Sequence, residues 1–137
     1  MIDTAYLQEL LTIAKQKGYE GLPAKDIWDN CCSSEDSNSQ EVMKFIYHMD
    51  AIWDSGLINW KDNLQIERWG FTDHGHGELT LTASNLVLTS TGHALAEKLS
   101  TDSKLKRFTQ LVKSAGVTAG TIAFGELISA YISGRLS

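Results

Sequence analysis

Val42, Phe45, Ile46, Met49, Ile52 and Trp53 recur at helical spacing, which predicts a long helix with one buried stripe. Ser37 with Gln40, or Asn38 with Glu41, supplies a capping-box pattern at its start. Gly56 stops it, and Leu57–Ile58 begins a strand. The stripe expected to face outward is Gln40, Lys44, His48, Ala51 and Ser55. Before this helix the pattern predicts two others. Asp3 caps the first, whose apolar face is Leu7, Leu10, Leu11 and Ala14 and whose end is Gly18. The second starts at Pro23 and turns Ala24, Ile27, Trp28 and Cys31 inward. A polar loop from Ser33 to Asn38 follows it.

After Gly56 the period changes from helical to alternating. Ile58 and Trp60, Leu64 and Ile66, Trp69 and Phe71, Leu79 and Leu81, and Leu86 and Leu88 alternate with polar residues. Turn signals at Asp62-Asn63, at the HGHG run of 74–77 and at Ser84-Asn85 divide them, so three or four short strands are expected. Thr89 or Ser90 then caps a fourth helix carrying Ala94, Leu95 and Leu99. Asp102 caps a fifth, with Leu105, Phe108 and Val112 inward and Lys104, Arg107 and Lys113 outward.

A break at Ala115-Gly116 precedes a last helix bearing Val117, Ile122, Phe124, Leu127, Ile128, Tyr131 and Ile132, with Gly116, Gly120 and Gly125 among them. It is apolar on more than one side and too short for the ~20 residues that span a bilayer, so no membrane contact is expected. Such a helix must be covered by something. Either it packs across its own domain, or Phe124, Leu127, Ile128 and Tyr131 form the contact of a homodimer.

Three helices, a small antiparallel sheet and then further helices make an α+β chain, expected as a winged helix-turn-helix over residues 1–100 with a helical extension over 101–137. The run EVMKFIYHMDAIWDSGLI, followed by LTSTGHALAEKL, a charged helix and a final apolar helix, resembles an uncharacterised family of small phage and prophage winged-helix proteins. The residues that carry the likeness are Tyr47-His48, Gly56-Leu57-Ile58, Leu88-Thr89 and Gly92-His93, within a similarity covering roughly residues 39–132. The chain departs from that pattern in its longer segment Lys61 to Asn85. The resemblance implies a winged-helix fold in a mobile-element setting, and it carries over neither an activity nor catalytic residues.

Charge changes what this fold is expected to bind. The net charge is −5, and it is uneven: residues 1–97 hold 15 acids and 6 bases, residues 98–137 hold 2 acids and 6 bases. Across 20–55, Glu20, Asp26, Asp29, Glu35, Asp36, Glu41, Asp50 and Asp54 face only Lys25 and Lys44. DNA carries a phosphate charge about every 1.7 Å, and binding rests on neutralising it. Double-stranded DNA is therefore disfavoured as a partner, and contact with a protein or with a second copy is preferred. The candidate contacts for either partner are Gln40, Lys44 and His48 on the third helix, with Lys61, Arg68 and Trp69 from the strand region; Trp69 is expected to be exposed. A regulatory or adaptor module is the first reading, and a dimeric DNA-binding repressor the second.

No chemistry-bearing motif competes with this. His74 and His76 beside Asp73 lack a separated third ligand, and Cys31-Cys32 is not a spaced pair, so no metal is expected. There is no G-x-S-x-G, no phosphate-binding glycine loop and no paired acid and base, so neither cofactor nor enzymatic activity is expected. The opening MIDTAYLQ lacks the basic and apolar runs of a secretory signal, and the adjacent cysteines form no disulfide framework; both fit the cytoplasm.

Overall fold

The computed structural model of the chain describes residues 2–16, 18–31, 40–61, 68–73, 79–81, 85–115 and 122–134. The Asp3 carboxylate accepts the Tyr6 backbone N–H at 3.1 Å, capping α1 (Thr4–Lys15), which buries Leu7, Leu10, Leu11 and Ala14. A single 3₁₀ turn (Gly18–Glu20) leads to a two-residue strand, β1 (Leu22–Pro23). α2 (Ala24–Cys31) begins one residue later than expected, because Pro23 pairs with Asn85 in the sheet. An edge strand tolerates the missing proline N–H.

α3 (Gln40–Asp54) is the longest helix among the described residues. Val42, Phe45, Met49 and Ile52 are buried, each contributing about 1.5–3 kcal/mol for a fully buried large side chain. Gly56, at φ 73°, ends α3 in the left-handed region, and Leu57 leads into β2 (Ile58–Trp60). β3 (Phe71–Asp73) and β4 (Leu79–Leu81) pair with each other, and β5 (Asn85–Leu88) returns between β1 and β2. The register Leu22↔Leu86, Trp60↔Leu86 and Ile58↔Leu88 turns all five of these side chains to the core and Asn59 outward. Trp69 precedes β3 in a turn and is not part of a strand. Ser37, Asn38, Leu64, Ile66, the Asp62-Asn63 turn, the HGHG run and Ser84 lie outside the described residues.

α4 (Ser90–Lys98) is capped by Thr89, and α5 (Asp102–Ala115) packs Phe108 and Val112 inward. Thr101 takes the capping role expected of Asp102: its hydroxyl accepts the Lys104 N–H at 3.3 Å, and Asp102 becomes the first helical residue. α6 (Ile122–Ile132) lies against α4 and α3. Phe124, Ile128 and Tyr131 are buried within the single chain and Leu127 is half-buried, so the residues considered for a dimer contact are covered in cis. The Tyr131 ring lies 5.1 Å from that of Phe108, which ties α6 to α5. Val117, Gly116 and Gly120 fall outside the described residues. Among the described residues the fold is α+β, with six helices and a three-stranded antiparallel sheet beside the β3–β4 pair. No helix among them is long and apolar enough to cross a membrane.

Candidate functional site

α3 is rotated relative to the expectation. His48 is only 2% exposed and Ala51 is fully buried, so neither belongs to an outward stripe. The outward face is instead Gln40, Met43, Tyr47, Asp50 and Asp54, with Lys44 at its edge. Met43, Tyr47, Asp50 and Asp54 follow one another at four-, three- and four-residue steps, which stacks them on one side of a helix. Among the described residues Met43, at 54% exposure, is one of two large hydrophobic residues at the surface, and Tyr47 beside it is half-buried.

The start of α1 covers the flank that bears His48. The His48 Nε2 accepts the Asp3 backbone N–H at 2.9 Å. Its Nδ1 lies 2.8 Å from the Lys44 carbonyl and must donate to it, because that oxygen can only accept. The ring is therefore neutral, and burial pushes its pKa below the ordinary value. The Lys44 ammonium donates to the Asp3 carboxylate at 3.0 Å and sits 4.5 Å from the centre of the Tyr6 ring. The Tyr6 N–H, and after it Lys44, holds the Asp3 carboxyl below its usual range. Lys44 is thus a structural tie between α1 and α3 as much as a surface cation.

The opposite flank of α3 is held by the turn that carries Arg68 and Trp69. Arg68 adopts a left-handed backbone conformation, at φ 49°. Its guanidinium donates to Asp54 at 2.9 Å and to Asp50 at 3.2 Å, and these carboxylates, Asp54 foremost, raise its pKa. The Trp69 indole Nε1–H donates to the same Asp50 oxygen at 2.9 Å. Its ring packs edge-on to Phe45, 5.8 Å away, and only 1% of Trp69 is exposed. Trp69 is therefore a core residue, against the expectation of an exposed anchor. It is drawn in because α3 offers both an aromatic face and an acceptor.

These neighbours leave a shallow groove of about 620 Å³ along α3, bordered by Asp3, Gln40, Met43, Lys44 and Tyr47 over the buried His48. Gln40, Lys44 and His48 are brought together there, although His48 forms the floor and not a projecting contact. Lys61 is exposed but borders a different groove, of about 690 Å³, with Tyr19, Val87 and His93. Tyr19, 96% exposed, is the other large hydrophobic residue exposed among the described residues.

The sequence pattern marks neither Met43 nor Tyr19, and it marks Tyr47 only as part of the family likeness and not as a surface contact. The helical step linking Met43 to Tyr47 was available. His74, His76 and Cys32 lie outside the described residues, and among the described residues no three His, Cys, Asp or Glu side chains converge as metal ligands do. Comparison with protein-family models, with curated proteins and with solved structures found no match to this chain.

Proposed function

We propose that the chain is a non-enzymatic winged-helix module, cytoplasmic and regulatory or adaptor in role, that works by docking a protein on the outward face of α3. What supports the fold reading is the element order α1, β1, α2, α3, β2, β5, with β5 seated between β1 and β2 and with β3–β4 as an extended wing. In that frame α3 occupies the position of a recognition helix. The likeness of Tyr47-His48, Gly56-Leu57-Ile58 and Leu88-Thr89 to phage and prophage winged-helix proteins supplies a mobile-element setting.

One observation carries the choice of partner. The outward face of α3 presents an exposed Met43, a half-buried Tyr47 and two carboxylates, and its bordering cations are already matched, Lys44 with Asp3 and Arg68 with Asp50 and Asp54. Phosphate binding needs cations left over for the phosphates. A methionine and an aromatic ring with a polar surround are what protein interfaces use as anchors.

The test is a photo-crosslinking amino acid placed at position 43, in cells that carry the protein. A discrete protein adduct, lost when Tyr47→Glu is added, is the expected result. An adduct to nucleic acid, or a pattern indifferent to Tyr47→Glu, would overturn the reading.

A further inference from the structure

The cations missing from α3 are on α5. Lys104, Lys106, Arg107 and Lys113 are all exposed, and no acidic residue occurs between Ser103 and Ala115. Among the described residues none of the four is in an ion pair, in contrast to Lys25, Lys44 and Arg68. Lys106, Arg107, Gln110 and Lys113 share one side of the helix, opposite the buried Phe108 and Val112. At 1.5 Å rise per residue the row from Lys106 to Lys113 spans about 10 Å. Ser103 and Ser114, also exposed, add hydroxyl donors at either end of the row.

We infer that this face of α5 docks on the phosphate backbone of a nucleic acid duplex, without reading its sequence. Charge complementarity selects the occupant. Acidic protein partners are gripped through aromatic or aliphatic anchors with charges at the rim, and no large apolar side chain is exposed on α5. A polyphosphate backbone needs only spaced cations and polar donors. The site is separate from the α3 face, and it stands whether or not α3 docks a protein.

The experiment is fluorescence anisotropy of a labelled 20-base-pair duplex of arbitrary sequence, titrated with the full chain at salt concentrations from 20 to 200 mM. Three phosphates neutralised give a log–log salt slope of about −2.7, an affinity loss of about 500-fold over that range. The variant combining Lys106→Gln, Arg107→Gln and Lys113→Gln is expected to lose measurable binding at 20 mM salt, whereas Met43→Ala binds as the parent does. Should the triple variant fail to fold by circular dichroism, each single substitution is expected to make the slope shallower by about 0.9. Absence of duplex binding at 20 mM salt, or unchanged binding by the folded variants, overturns the inference. Polyglutamate that binds more tightly than the duplex also overturns it, in favour of an acidic protein partner.

Discussion

Thr89 joins the two segments that organise the chain. Its hydroxyl donates to the Gly56 carbonyl at 2.6 Å and accepts the Gly92 N–H at 3.1 Å, while its own N–H donates to the Leu57 carbonyl at 2.9 Å. One residue thus caps α4 and ties it to the end of α3. Gly92 completes the joint: a Cβ there would sit 2.1 Å from the Leu57 oxygen, so no other residue allows this approach. Thr89→Ala is expected to destabilise the chain by about 2 kcal/mol, through the lost cap and the lost bond to Gly56. Gly92→Ala is expected to cost at least about 2 kcal/mol from overpacking against backbone. Denaturant midpoints at constant m-value measure both.

His48 makes stability depend on pH. Its pKa is lowered in the folded chain, so the unfolded chain takes up a proton more readily, near the ordinary value of 6.5. The stability that this ring contributes is therefore whole above pH 6.5 and is lost as pH falls through the folded-state value. Protonation would also place a second N–H against that of Asp3. Asp3, likewise lowered, loses its contribution only below its ordinary 3.8. Urea titrations between pH 7 and pH 5 are expected to show the parent losing stability on acidification, and His48→Gln losing less. Parallel pH profiles would contradict this role for His48.

At the scale of elements, the existence of each helix was legible in the sequence, and the orientation of α3 was not. Val42, Phe45, Met49 and Ile52 fix the buried stripe. How far burial spreads to either side depends on what packs there, and periodicity within one helix does not contain that. The start of α1 covers His48, a polar residue that reads as exposed, and α6 lies against α3. Trp69 reads as exposed for the same reason: Arg68 and Gly70 beside it suggest an open loop, while the partners that bury it, Phe45 and Asp50, lie on α3. β1 was missed because two residues are too few to show an alternation.

The last helix was legible as needing cover, but not as to where the cover comes from. Phe124, Ile128 and Tyr131 are buried in cis, so ending the chain after Ser114 strips that cover from α3, α4 and α5. The truncated chain is expected to lose cooperative thermal unfolding by circular dichroism. A cooperatively folded truncated monomer would contradict the packing described for α6.

The whole molecule separates charge by region, and this was visible in the sequence before any fold was known. Its consequence needed the structure, because only the packing shows that Lys44 and Arg68 are matched by carboxylates while, among the described residues, the cations of α5 are not. Two surfaces of opposite chemistry are thereby proposed: α3, with Met43 and Tyr47, for a protein, and α5, with Lys106, Arg107 and Lys113, for phosphates. Amide chemical-shift mapping of the full chain against a short DNA duplex at low salt tests this division most directly. The account predicts shifts confined to α5, centred between Lys104 and Lys113, with the amides of Gln40–Asp54 unmoved. Shifts centred on Gln40–Asp54 would contradict it and restore α3 as a helix that reads DNA.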